Sequence, residues 1–306
     1  MKGLSFLNQQ NEYYDVGIVN IESYCEFHNI PPQYEWVKSI FVFSFGYQQP
    51  RIKTSQYISA KFAYGDDYHQ VLTRFLEDLL SREEIFKRSR YEIKVDVNPF
   101  NEKTLAYLAG LGVFGKNNLI ISPRFGTYHY LATILTDLKF SEYSKPLEID
   151  LCGQCDFCIK ACPTKALNQV FVREKCLSYL TQYPSINYEL YNKIRNVFVG
   201  CDICQEICPY NKKEYSILPE LYFNDLSLVN LENLEKNDIK NFKKYYAKKT
   251  FKWIGLVKMI RNILVLETNN KNISIEKLNY YQNKFKNIDW FVKHIEYLKE
   301  KMEKCQ

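Results

Sequence analysis

Seven of the ten cysteines fall into two short runs, Cys152-x-x-Cys155-x-x-Cys158-x-x-x-Cys162-Pro163 and Cys201-x-x-Cys204-x-x-x-Cys208-Pro209. In such a run three closely spaced thiolates hold three corners of a [4Fe–4S] cube. The fourth cysteine, followed by proline, points away and ligates a second cube. One cluster would then take Cys152, Cys155, Cys158 and Cys208. The other would take Cys162, Cys201 and Cys204 and lack one ligand, for which Cys176 is the candidate. Zinc is the bland alternative, since paired knuckles wrap a tetrahedral ion and two four-ligand zinc sites are arithmetically possible. A C-x-x-C-x-x-C triple is hard to wrap on one zinc, so the spacing favours two iron–sulfur clusters passing single electrons.

A ferredoxin would place the last ligand three residues before Cys201, whereas here a long insertion separates Cys176 from it. This chemistry must be positioned by the elements around it. Val16–Ile21 and Ser39–Ser44 are short apolar stretches predicting buried strands. Apolar residues at Tyr68, Val71, Leu72, Phe75, Leu76 and Leu79 predict an amphipathic helix over 68–80. Tyr91–Val97 alternates like a strand and stops at Asn98-Pro99. Asn101 caps a helix running to about Ala109, and Leu119–Ile121 and Tyr128–Leu135 read as two more strands. Strands alternating with helices predict an α/β layout.

Gly110-Leu-Gly112-Val-Phe-Gly115 is a formal G-x-G-x-x-G. A dinucleotide fingerprint needs a strand before it and a helix after it, and here the order is reversed. The glycines instead suit a tight helix exit or the close passage of backbone by another bulky ligand. Pro219–Asn230 reads as a linker, and Leu231–Gln306 as helical.

With 306 residues the chain has room for two domains or one large one with an insertion. No apolar run is long enough to cross a bilayer. The N-terminal residues, with Asn8, Gln9 and Gln10, carry no signal-peptide pattern, so a reducing cytosol is expected. The formal charge of +6 is uneven: residues 231–306 hold 17 Lys and Arg against 9 Asp and Glu, leaving 24 against 26 elsewhere. Such a tail suits a polyanion, or is simply a solvated helical face. Cys25 and Cys305 are expected to be ordinary free thiols.

Several stretches together resemble the epoxyqueuosine reductases, cobalamin-dependent iron–sulfur enzymes that act on transfer RNA. They are Tyr64-Gly-Asp-Asp-Tyr-His69, Val95-Asp96-Val-Asn-Pro99 with Glu102-Lys103, Ala109–Asn117, Ile134–Leu138, the two cysteine runs, Cys176-Leu-Ser-Tyr-Leu-Thr181, and Trp253-x-Gly255 with Arg261-Asn262. They cover most of residues 60–265 in the family's order. Phe114 stands where the family often has Trp, and Glu267-Thr268 where Gly-Asn is common. The chain also stops too early for a full set of the family's HEAT-like repeats.

The resemblance implies an α/β cobalamin and substrate domain over 1–145, a ferredoxin-like (α+β) double [4Fe–4S] domain over 146–218, and a helical Lys-rich segment over 219–306. It implies reduction of epoxyqueuosine to queuosine at the wobble base, with Cys176 completing the second cluster. Asp96 is the implied general acid, a role that asks for a carboxyl kept protonated by partial burial. Without the resemblance Asp96 reads as a strand-end turn or cap. Tyr68, His69, Gly110, Gly112, Gly115 and Lys116 are implied contacts to cobalamin or substrate; a lone His is otherwise more often an ordinary surface or core residue. The expected partners are the anticodon stem-loop of tRNA and an external low-potential donor such as ferredoxin or flavodoxin. No membrane is expected, and the chain is expected to be a monomer. Competing readings are a corrinoid reductase of small molecules, resembling the reductive dehalogenases, and a ferredoxin-type carrier without catalysis of its own.

Overall fold

The computed structural model describes residues 11–31, 34–53, 57–184, 187–224, 229–236 and 238–304. The expectations for Asn8, Gln9, Gln10 and Cys305 lie outside the described residues. The chain forms two compact units that interleave along the sequence. The first comprises Met1–Gln49, Asp66–Cys158 and Gln205–Tyr222; the second comprises Pro50–Gly65, Ile159–Cys204 and Phe223–Gln306. The sequence reading expects consecutive parts ending at 145 and 218, whereas here the chain leaves each unit and re-enters it.

The first unit is built on a four-stranded sheet in the order β1 (Tyr14–Asn20), β2 (Ser39–Gly46), β7 (His129–Thr136), β4 (Tyr91–Lys94). Every pairing in it is antiparallel. That corrects the α/β expectation to an α+β arrangement. The cause is where the chain re-enters the sheet. Asn20, last in β1, lies opposite Ser39, first in β2, so the intervening helix (Ile21–His28) returns the chain at the end where the strand stopped.

β2 is buried along its whole length, which explains its unbroken apolar sequence. Its side chains alternate between faces. Ile40 and Val42 join Tyr24, Phe100, Leu105 and Ala106 in one core. Phe43 and Phe45 face the other way and meet Tyr14 at 5.3 and 5.4 Å, while Phe45 meets Phe75 of the Tyr68–Ser81 helix at 5.4 Å. Leu72 and Leu76 of that helix are fully buried, each contributing roughly 1.5–3 kcal/mol by leaving water. The helix is thereby pressed onto the sheet, and its N-terminus is fixed beside β4.

β4 stops at Lys94, short of the predicted Val97. Asp96 takes a left-handed φ of 66°, which ends the extended run before the proline does. Asn101 then caps the Glu102–Leu108 helix by accepting from the Thr104 amide at 3.1 Å. The helix exits through Gly110, at φ 70°, where a Cβ would lie 2.5 Å from the Lys145 carbonyl oxygen. A short hairpin, β5 (Val113–Phe114) and β6 (Ile120–Ile121), comes next.

The second unit pairs β3 (Ile58–Ser59) with β8 (Val197–Val199) in parallel. It is centred on the Leu256–Asn269 helix, whose Met259, Ile260, Ile263, Leu264, Val265 and Leu266 are all fully buried. Helices Leu231–Glu235, Ile239–Tyr245, Ile275–Lys284 and Asp289–Lys304 complete the expected helical segment. The predicted linker is not a free tether where it is described: Leu221 and Val229 are buried. Residues 225–228 of it lie outside the described residues.

Candidate active site and cluster ligands

Asp67 caps the Tyr68–Ser81 helix, its Oδ1 accepting from the His69 amide at 3.2 Å. The same oxygen lies 2.6 Å from His69 Nδ1, and Gln70 Nε2 donates to Oδ2 at 3.1 Å. The opposite ring nitrogen of His69, Nε2, lies 3.4 Å from Asp96 Oδ2. His69 therefore bridges two carboxylates. Burial alone would lower its pKa, but the hydrogen bonds to Asp67 and Asp96 outweigh that and hold it at about 9. The ring is thus an imidazolium at neutral pH, donating from both nitrogens.

Asp96 is positioned from its backbone. Its amide donates to Glu102 Oε1 at 3.1 Å, and the same oxygen accepts from Asn98 Nδ2 at 3.4 Å. Asn98 Nδ2 also donates to Thr133 Oγ1 on β7 at 2.8 Å, which ties the loop to the sheet. Burial, with the Asp96 charge adding to it, raises Glu102 to about 7. The Asp96 side chain itself is 65% exposed. The expectation of a partly buried carboxyl is corrected here: the left-handed bend turns the residue outward, and its proton-bearing neighbour is His69.

Tyr68 lies flat between two rings, 4.0 Å from His69 and 4.2 Å from Tyr130, and Tyr130 stacks on Tyr47 at 4.2 Å. Burial, reinforced by the Asp96, Glu102 and Asp67 charges, pushes the Tyr68 phenol well above its ordinary value, so it stays protonated. Asp67, Glu102 and Tyr130 were not among the sequence candidates. Asp67 carried a signal, an acidic cap directly ahead of a periodic helix. Nothing local distinguishes Tyr130 in β7.

The cysteines sort by unit. Cys152, Cys155, Cys158 and Cys208 all belong to the first, and Cys162, Cys176, Cys201 and Cys204 to the second. The first four line one pocket, walled by Ile121, Leu151, Phe157 and Pro209. Asp150 Oδ1 accepts from the amides of Cys152 and Gly153, both at 2.9 Å, and shapes their turn. The Lys116 amide donates to Cys152 Sγ at 3.4 Å, while Lys116 Nζ donates to the Gly153 carbonyl at 2.6 Å. Lys116, expected at cobalamin, is thus tied to the cluster loop.

In the second set, burial and the charges of Cys176, Asp202 and Cys162 push the Cys201 thiol up to about 12. Burial likewise raises Cys176, with Cys162 adding to it. Burial also acts to raise Cys162, but amide donors from Leu167, Thr164 and Ala166 and the Thr164 hydroxyl hold it below the usual thiol range, which favours the ligating thiolate. Both sets fit a thiolate-bound cube.

Two residues outside the expected site brace the second set. Asn262 Nδ2 donates to the Thr181 and Phe198 carbonyls, both at 2.7 Å. Thr181 lies in the helix just after Cys176, and Phe198 in the strand before Cys201. Thr181 Oγ1 accepts from the Gly200 amide at 2.9 Å, closing the connection.

The glycines fare differently from the cysteines as cofactor contacts. A Cβ at Gly112 would lie 2.5 Å from the Ile121 carbonyl oxygen, and one at Gly115 2.7 Å from Asn117 Oδ1. Protein packing alone therefore accounts for glycine at both. Two large apolar side chains next to candidate residues in the chain are exposed: Val97, after Asp96, at 83%, and Phe114, before Gly115, at 45%.

Comparison with known proteins adds two matching family models, one described as epoxyqueuosine reductase QueG over residues 29–97 and one as a 4Fe–4S double cluster binding domain over 151–211. An epoxyqueuosine reductase of Cyclobacterium marinum is 37% identical over 212 residues, covering 66% of this chain and 67% of its own. One from Lactococcus garvieae is 34% identical over 249 residues, covering 79% and 70%. A crystal structure of an epoxyqueuosine reductase with an epoxyqueuosine-modified tyrosine tRNA stem loop superposes with a TM-score of 0.75. It is 26% identical and covers 86% of this chain and 80% of that one.

Proposed function

The chain belongs to the epoxyqueuosine reductase family, and on that ground we propose that it reduces epoxyqueuosine to queuosine at the wobble base of tRNA, working at the Asp96–His69 site. The reaction takes two electrons and two protons, breaks both carbon–oxygen bonds of the epoxide, and leaves an alkene and water. The observation that carries the assignment is the contact of His69 Nε2 with Asp96 Oδ2. The His69 imidazolium, held in line by Asp67, passes its Nε2 proton to the Asp96 carboxylate, which hands it to the epoxide oxygen, and solvent supplies the second proton that completes the water. Exposure of Asp96 suits this relay, because the reacting group must meet a base at the end of a large RNA. Tyr68, kept neutral, can donate a hydrogen bond beside it.

Cobalamin, when bound, supplies the low-valent cobalt chemistry that delivers electrons to the substrate. Tyr68, His69, Val97 and Phe114 are the residues that would hold it, with Gly110, Gly112 and Gly115 shaping the turn below. The two thiolate sets would hold two [4Fe–4S] clusters, fed singly by a low-potential ferredoxin or flavodoxin, with the chain acting as a cytoplasmic monomer. No helix among the described residues is long and apolar enough to cross a membrane.

The test is anaerobic reconstitution with iron, sulfide and cobalamin, then mass spectrometry of nucleosides from epoxyqueuosine tRNA given a low-potential reductant. Queuosine from the wild type and none from Asp96→Asn is the expected result. Equal turnover by both would remove Asp96 from the mechanism. Full iron and bound cobalamin without queuosine would overturn the substrate.

A further inference from the structure

We propose that an exposed ladder of rings and cations in the second unit grips the anticodon loop of the substrate RNA, an inference resting on the tRNA reading above. The Arg173 guanidinium lies 5.0 Å over the Tyr179 ring. Tyr179 stacks on Tyr183 at 4.7 Å, and Tyr183 meets Trp253 at 5.7 Å. Lys258 Nζ closes the series 5.9 Å from the Trp253 ring.

These rings are outside when the unit has room for aromatics inside. Phe242, Tyr246 and Phe251 are buried, whereas Tyr183 is 42% exposed and Trp253 45%. The Arg173 side chain is 67% exposed. The backbone beneath is clamped from within: the fully buried Arg261 donates to the Leu180 carbonyl at 3.0 Å and reaches the Tyr183 carbonyl at 3.4 Å. Tyr179 and Tyr183, four residues apart, are thereby presented as a fixed stack. A lysine patch alone would attract any polyanion. Stacked rings flanked by cations offer faces for unpaired bases and charges for phosphates together, the two demands of a single-stranded RNA loop.

The experiment measures binding of a labelled anticodon stem-loop to the reconstituted full chain by fluorescence anisotropy, across a salt series. Trp253→Ala and Tyr183→Ala are expected to weaken binding about tenfold each, and Trp253→Phe to retain most of it. Arg173→Ala, at an exposed position, is expected to weaken binding and to lower the salt slope by about one. Variants with wild-type iron content that bind as wild type would overturn the ladder and leave the tRNA reading standing. A wild type that does not bind the stem-loop would overturn both. Unchanged RNA binding with slowed reduction by a ferredoxin would reassign the ladder to a protein partner and overturn this proposal.

Discussion

His69 carries a carboxylate at each ring nitrogen, and that arrangement fixes a pH window. Its ordinary value is 6.5 and its value here about 9. The stability this charged bridge contributes is therefore fully present below 6.5 and is lost as pH rises through 9. Single-turnover rates should fall on the alkaline side near pH 9. His69→Gln should lose that limb and, with it, about a hundredfold in rate, because it removes the source of the relayed proton. Glu102 makes a separable contribution. Glu102→Gln keeps an oxygen for the Asp96 amide and removes the titration near pH 7, so its rate should be close to wild type at pH 6 and without an inflection near 7. Glu102→Ala frees a left-handed non-glycine bend whose retention costs of order 1–3 kcal/mol, and should lower kcat by tenfold or more with a smaller change in KM. The sequence made Asp96 and His69 visible through resemblance. Their contact was not legible, because 27 residues separate them and a bend at φ 66° has no marker in Val95-Asp96-Val97.

At the scale of elements, Asn262 joins the helix after Cys176 to the strand before Cys201, and the intervening insertion makes that join necessary. Asn262→Leu leaves two buried carbonyls without their donor, at about 1–3 kcal/mol each. It should lower iron content from about eight toward about four per chain while sparing the set at Cys152. Iron analysis with electron paramagnetic resonance of the reduced protein would read this directly, and wild-type iron content would count against the brace. The helices at 68–81 and 102–108 and the strands at 14–20 and 129–136 were readable because their periodicity and caps are local. The direction of pairing was not, since Phe43 opposite both Val16 and Ala132 is a relation among three distant stretches.

At the scale of the whole chain, the exchange of fourth ligands predicts a crossed pattern of loss. Cys208 lies in the second sequence run, yet Cys208→Ala should abolish the cluster of Cys152, Cys155 and Cys158. Cys162→Ala, in the first run, should abolish the other. Spectra that instead tracked the runs would contradict the assignment of each set to its own unit. This crossing was the most legible feature of all, because cysteine spacing alone expresses it.

The interleaving also bears on how the protein is made. Synthesis runs from the N-terminus, and the four sheet strands have emerged by Thr136, yet the first unit receives its last segment only with Gln205–Tyr222. Between those points the ribosome delivers Ile159–Cys204, which belongs elsewhere. The set completed by Cys208 must therefore wait, with three thiols already displayed, until more than forty further residues have appeared. The set at Cys162 has all its sulfurs by Cys204 but lacks Asn262. The nascent chain therefore passes through a stage in which Cys152, Cys155 and Cys158 stand without Cys208, and those waiting thiols are the ones most open to oxidation while the chain is unfinished.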